Sequence, residues 1–370
     1  MALQDEIDRR RRAIKTDSYS MSIGELMNLY QSNELDLHPD FQRFFRWTDE
    51  QKTKLIESIL LGIPLPPVFV AQRSDGVWDV IDGLQRLSAI FQFGGILIGS
   101  DGAAIPPLTL TKAKYLPSLL GKQWENKANP ESLTALTTQQ RIDIKRSKLD
   151  VNIILRESNA DAKYDMFERL NTGGTQLSEQ EVRNCLLLMS SKPFFAHLEE
   201  MAAHPAFLSA TALTDRARDE RYDMELVVRF ITMRTTDPDQ LRGLVDVNTF
   251  LTDKILELAE SDIDIDAEVA AFKATFDMLD EALSDNSFRR YNAVKQRFMG
   301  GFLVSVYEVV AMGVGHNINT LHNNQQNRDR IFEIVKNIWD DREFTGHQGS
   351  GVRGTDRIPH TIPLGRRLFS

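Results

Sequence analysis

Strand-like patterning runs through roughly the first 160 residues of this chain and then all but stops. In that first part, VFV at 68–70, VWDVI at 77–81 and VNIIL at 151–155 read as short strands bounded by turn or proline signals. Beyond it, apolar residues recur at helical intervals in 160–170, 178–190, 220–235, 248–260, 266–284, 288–312 and 327–340. Such a pattern predicts an α+β unit followed by a mostly α-helical one, with the change at 160–175. A chain of 370 residues is long enough for about two cores that need no disulfide staples.

Local signals divide the chain further. Residues 1–20 read as a charged arm, in which the four arginines at 9–12 beside Asp5, Glu6 and Asp8 make a solvated basic face. Residues 21–160 form the α+β domain. Ser22 with Glu25, and Thr48 with Gln51, are capping boxes that open helices. In the second helix Leu55, Ile56, Ile59 and Leu60 share one face, and Gly62 ends it. IPLPP at 63–67 then forces an extended entry into a strand, and Ser74-Asp75-Gly76 turns the chain back. The region 94–135 is loop-rich, and a further helix fits 137–147. Residues 161–345 form the helical domain, whose acidic stretch at 257–285 reads as a solvated helix face. The tail 346–370 is rich in Gly and Pro, carries four arginines, and is expected to lie across another surface without forming an ordinary helix.

Composition excludes several classes. A net charge of −9 argues against a generally basic nucleic-acid coat, although a local basic groove is compatible with it. The single cysteine, Cys185 within CLLLM, reads as a buried thiol, so no zinc knuckle or internal disulfide is expected and a reducing cytoplasm fits. No run reaches membrane-spanning length and no apolar signal core opens the sequence, so no membrane association is expected.

Three clusters carry polar chemistry. In VIDGLQRLSAIFQF at 80–93, Asp82 follows a strand and precedes a helix, so it reads as an N-cap, with Gln85 completing a capping box. Leu84, Leu87, Ser88 and Phe91 then face the core. Gly83 and Arg86 are left over: a glycine lets another group approach the backbone, a helix N-terminus favours phosphate, and arginine can grip it with two donors. In HPDFQRFFRWTDEQ at 38–51, Gln42, Arg43 and Arg46 are interleaved with Phe41, Phe44, Phe45 and Trp47, a mixture suited either to core anchoring or to a nucleobase and its phosphates. In FERLNTGGTQLSEQEVRNCLL at 167–187, Asn171, Gly173 and Gly174 turn the chain between two helices, the second capped by Ser178 and Glu181. That joint also presents an amide and bare backbone suited to phosphate or ribose.

Taken in this order, the clusters resemble the GmrS-type N-terminal domain of GmrSD-like (type IV) restriction endonucleases, within the ParB/sulfiredoxin-like superfamily. The resemblance rests on Phe41-Gln42-Arg43 with Trp47, on Ile63-Pro64-Leu65-Pro66, on Asp82-Gly83-Leu84-Gln85-Arg86, and on Phe167 through Asn171 to Gly173, and spans roughly residues 20–190. It implies a ParB/sulfiredoxin-like fold and an NTP-binding, NTP-hydrolysing subunit of a DNA-targeting anti-phage system. Carried over to this sequence, Asp82, Gln85 and Arg86 are the catalytic core, with Asp82 holding Mg²⁺ or orienting the attacking water. Gln42, Arg43, Arg46, Trp47, Gly83, Asn171, Gly173 and Gly174 would line the nucleotide cleft. Nucleotide, DNA and a separate nuclease or other defence subunit are the implied partners. Two departures stand out. The family's motif at 82–86 is Asp-Gly-Gln-Gln-Arg, whose first glutamine is Leu84 here, and the histidines at 197, 204, 316, 322, 347 and 360 are too scattered for the compact ββα unit of an HNH nuclease, so none is expected. Two other functions compete with NTP hydrolysis: a ParB-like nickase acting directly on phosphodiesters, and a non-catalytic interaction module switched by nucleotide.

Overall fold

The structure, a computed structural model, describes residues 15–37, 47–99, 102–126, 132–157, 178–349 and 351–370. They divide into two units, Met1–Gln176 and Leu177–Ser370. The first is α+β and the second is helical apart from one hairpin.

In the first unit β1 (Thr16–Ser22), β2 (Leu35–Asp36), β3 (Val68–Gln72), β4 (Trp78–Asp82) and β5 (Lys148–Ile154) form one mixed sheet in the order β1-β5-β3-β4-β2. The β1–β5 and β3–β4 pairs are antiparallel, and the β5–β3 and β4–β2 pairs parallel. Among the described residues, helices α1 (Ile23–Gln31), α2 (Asp49–Leu60), α3 (Leu84–Phe93) and α4 (Thr138–Arg146) accompany the sheet. Central β3 buries Val68 and Val70 completely, and α3 does the same with Leu87 and Phe91, so sheet and helix meet in one apolar core. The expected turn closes β3–β4: Gly76 takes a positive φ of 92°, and Val77 N–H donates to Asp75 Oδ1 at 3.0 Å.

Most local expectations hold. Thr48 and Gln51 form a reciprocal capping box, as do Thr137 and Gln140, and Ser22 Oγ accepts from Glu25 N–H at 3.1 Å. Gly62 ends α2 at a φ of 67°. The loop-rich stretch after α3 is organised by two buried polar groups on α2. Thr53 Oγ1 accepts from Thr111 N–H at 2.9 Å, and Glu57, only 4% exposed, accepts from Tyr115 and Leu116 N–H at 2.6 and 2.7 Å. One expectation fails at the N-terminal end. Residues 16–20, read as part of a charged arm, belong to the sheet: β1 pairs with β5 from Thr16↔Ile154 to Ser22↔Lys148. Its first five residues are exposed, so backbone pairing holds it in place and no apolar alternation betrays it.

The second unit contains α5 (Glu179–Ser190), α6 (Lys192–Ala202), α7 (Pro205–Thr211), α8 (Asp215–Asp219), α9 (Tyr222–Thr235), α10 (Val247–Glu260), α11 (Ile265–Leu283), the hairpin β6 (Arg290–Asn292) and β7 (Arg297–Met299), and then α12 (Val304–Asn317), α13 (Gln325–Asn337), α14 (Arg342–Gly346) and α15 (Gly354–Leu368). Its core includes a ring cluster: Phe207, Phe230, Phe272, Phe276, Phe288 and Tyr307 lie at centroid distances of 4.5–6.3 Å along the chain of contacts. Cys185 is buried as expected, and burial pushes its thiol far above the ordinary range.

Three expectations are corrected here. The tail contains α15, a helix with Pro359 and Pro363 inside it. Two prolines would ordinarily break such a segment, but α15 lies against α12 at glycine-sized distance. A Cβ on Gly365 would sit 2.2 Å from the Val309 carbonyl oxygen, and one on Gly313 would sit 2.5 Å from that of Gly365. Beside this crossing Glu308, fully buried, accepts from Arg357 Nε and Nη2 at 2.8 and 2.9 Å and from Thr361 Oγ1 at 3.0 Å. Packing and a charge-assisted fork therefore override local propensity. The helical spacing read at 288–312 also breaks down: a hairpin occupies 290–299 before α12 begins. Finally, the acidic face of α11 is not merely solvated. Glu268 is buried against Arg234, Asp277 bonds His204 Nε2 at 2.7 Å, and Asp280 accepts from Ser209 Oγ at 2.6 Å.

The crossing is testable. Gly365→Ala should destabilise the protein by about 3 kcal/mol in denaturant unfolding, because the new methyl meets backbone that cannot yield. Gly301→Ala, with nothing within 4 Å of its added carbon, should change stability by less than about 0.5 kcal/mol.

Candidate functional site

The corner between β4 and α3 differs from the capping box that its sequence suggests. Asp82 is the last residue of β4, paired with Phe69, and the N-cap of α3 is Gly83, which makes no side-chain cap. Gly83 stands at a φ of 95°, where an L side chain is strained. A Cβ there would lie 2.4 Å from Val68 Cγ1, so the group that comes close to the bare glycine is a core valine from β3. The Asp82 carboxylate does not cap α3. Its Oδ2 instead accepts from Arg86 Nη2 at 2.9 Å, one turn into the helix, and the side chain is half exposed.

Arg86 is the centre of this corner. While Nη2 donates to Asp82, Nη1 donates to the carbonyls of Pro66 and Pro67, the latter at 3.1 Å. The guanidinium thus clamps the proline entry of β3 to the end of β4, and only 11% of the side chain is exposed. Burial pushes its pKa down and the Asp82 carboxylate pulls it back up, and an arginine so placed keeps its charge. Gln85 Oε1 accepts from Trp47 N–H at 3.1 Å, which ties the residue before the Thr48 cap to the first turn of α3. Leu84 is buried, as the core stripe predicts, so the side chain that replaces the motif's first glutamine packs in the interior.

The structure therefore brings together Trp47, Asp82, Gly83, Gln85 and Arg86. Gln42, Arg43, Arg46, Asn171, Gly173 and Gly174 lie outside the described residues, as does the helix expected at 160–170. Sequence reading did not foresee the Pro66 and Pro67 carbonyls as partners of Arg86. Their signal was the IPLPP run itself: a proline carbonyl, in a segment with no ladder partner, needs a donor from elsewhere. Nor did it foresee Val68 behind Gly83. Chemically, the corner offers an exposed carboxylate held by an arginine, next to the opening turn of a helix, where backbone N–H groups and the helix dipole favour an anion. A single carboxylate beside such a turn suits Mg²⁺ carried by phosphate oxygens, which binds through one or two protein carboxylates. Among the described residues no group of three or more His, Cys, Asp and Glu is arranged to hold a metal by itself.

A mixed sheet with a strand–glycine–helix corner of this kind defines an α+β domain. Residues 23–188 match the family described as the GmrSD restriction endonuclease N-terminal domain, and this part of the chain is a domain of that family. No curated protein and no solved structure matches the chain. No helix among the described residues is long and apolar enough to cross a membrane.

Gly83→Ala should cost about 2–4 kcal/mol of stability, the sum of a left-handed backbone penalty and a clash with Val68. Denaturant unfolding checks it, and a neutral result would mean that the Gly83–Val68 approach is looser than described.

Proposed function

We propose that this chain is an NTP-binding, NTP-hydrolysing subunit of a restriction-like, DNA-targeting defence system, with a ParB/sulfiredoxin-like first domain. The observation that carries the reading is the placement of the Asp82 carboxylate, half exposed and gripped by Arg86, at the opening of α3 in a domain of a restriction-endonuclease family. Bound Mg²⁺ would offset phosphate charge and polarise the scissile phosphoanhydride. Asp82 holds that ion or orients the attacking water. The first-turn N–H groups of α3 receive phosphate oxygens. Arg86 acts first as a positioning residue, since two protein carbonyls and Asp82 already take its donors. Gln85 fixes the Trp47 backbone, and in this reading the Trp47 ring stacks on a base. Gln42, Arg43, Arg46, Asn171, Gly173 and Gly174 complete the nucleotide cleft in this reading. A partner subunit supplies DNA cleavage.

A second reading, a nucleotide-switched module without hydrolysis, draws support from Leu84. That position buries an aliphatic side chain where the family motif has an amide.

Phosphate release measured with each NTP, with and without duplex DNA, tests the proposal. Mg²⁺-dependent release is expected, and Asp82→Ala should lower it at least about a hundredfold. Tight calorimetric binding with no release would overturn hydrolysis in favour of the switch. Absence of both binding and release would overturn the nucleotide site.

A further inference from the structure

We propose that the β6–β7 hairpin of the helical unit binds duplex DNA through its phosphate backbone. The chain carries a net charge of −9, yet between Asp285 and Glu308 it places Arg289, Arg290, Lys295 and Arg297 with no acidic residue among them. The register pairs Arg290 with Met299, Tyr291 with Phe298 and Asn292 with Arg297. Alternation along the strands therefore puts Tyr291 and Phe298 on one face and Arg290 and Arg297 on the other. The aromatic face is supported: the Tyr291 and Phe298 rings lie 5.1 Å apart, and Phe298 meets Phe332 of α13 at 6.0 Å. At the base, Leu303 N–H donates to the Phe288 carbonyl at 2.9 Å and Phe288 is buried in the aromatic core. The ribbon is thus anchored to the helical unit, with Arg290, Lys295 and Arg297 exposed.

Those cations are largely uncompensated. Arg289 pairs with Asp285 at 2.8 Å, but Arg290, Lys295 and Arg297 are exposed and meet no carboxylate among the described residues. Arg290 lies over the Trp339 ring, 5.0 Å from its centroid, a contact that orients the side chain and leaves its charge unbalanced. At the tip Val294 is 95% exposed, an apolar group held out in solvent. A two-stranded ribbon fits the major groove of B-form DNA, about 12 Å wide, whereas the A-form RNA major groove is too narrow for it. Phosphates on the groove walls would meet Arg290, Lys295 and Arg297, and Val294 would reach a thymine methyl. The acidic remainder of the chain does not forbid this, because beyond about 10 Å its repulsion is screened at 0.1 M salt. The proposal shares with the preceding reading only that the chain acts on DNA, and uses none of the nucleotide-site residues.

Fluorescence anisotropy of a short labelled duplex, titrated with the full chain between about 50 and 200 mM salt, tests it. Changing Arg290, Lys295 and Arg297 together to Gln should weaken binding at least tenfold, and lower the slope of log affinity against log salt by about 3, close to 0.9 per lost phosphate contact. Arg297→Gln alone should lower the slope by about 1. Lysine at 290 and 297 should retain most of the affinity, and nucleotide binding by calorimetry should match the unaltered chain in every variant. A double Lys112→Gln, Lys114→Gln change on the first unit should leave DNA affinity unchanged. The proposal is overturned if the unaltered chain does not bind the duplex, if the hairpin variants bind like it, if the Lys112/Lys114 variant carries the loss, or if an RNA duplex binds more tightly.

Discussion

The Arg86 fork is the interaction on which the candidate site depends. One planar group reaches three acceptors from different parts of the chain: the carbonyls of Pro66 and Pro67 at the entry to β3, and the carboxylate of Asp82 at the end of β4. A lysine could not span them, because its single nitrogen lacks the fixed spread of the guanidinium. The clamp exists because proline carbonyls without ladder partners cannot be left unsatisfied near the core. It also holds the Asp82 carboxylate, half exposed, beside the opening of α3. Gly83 makes the geometry reachable. Its left-handed backbone and missing side chain let Val68 close the core directly beneath the turn.

Features decided by neighbours in sequence were legible before the structure. The Thr48–Gln51 and Ser178–Glu181 boxes, the Gly62 stop and the Gly76 turn need only a few consecutive residues, and all are present. The Asp82–Gln85 box obeyed the same local rule and yet is absent. There a distant competitor prevailed for each partner: Arg86, anchored on prolines 19 and 20 residues away, took the carboxylate, and Trp47 N–H took the amide oxygen. The same contrast explains the helical unit. Two prolines in 354–368 argue against a helix, and only the Gly313–Gly365 crossing and the buried Glu308–Arg357 fork, both long-range, show why one forms. The hairpin was hidden for a different reason. Strands of three residues are too short for alternation to outweigh the helical spacing around them.

The two units concentrate charge differently. In the helical unit two buried carboxylates are paired with arginines: Glu308 with Arg357, and Glu268 with Arg234. Losing one partner of such a pair strands the other in the interior, at a cost of about 3–5 kcal/mol, so these groups are fixed by the fold and unsuited to binding a ligand. The hairpin cations have no such obligation, which makes them available to an outside polyanion. At the β4–α3 corner the situation is intermediate. Arg86 is committed to the protein, while Asp82 gives up part of its capacity and keeps the rest in solvent.

A structure of the chain with a non-hydrolysable NTP and Mg²⁺ tests the central claim most directly. The phosphates are expected at the first turn of α3, with the Mg²⁺ within coordinating distance of the Asp82 carboxylate and Arg86 still donating to Pro66 and Pro67. Nucleotide bound elsewhere, or phosphates at the corner with Asp82 turned away from the metal, would contradict it.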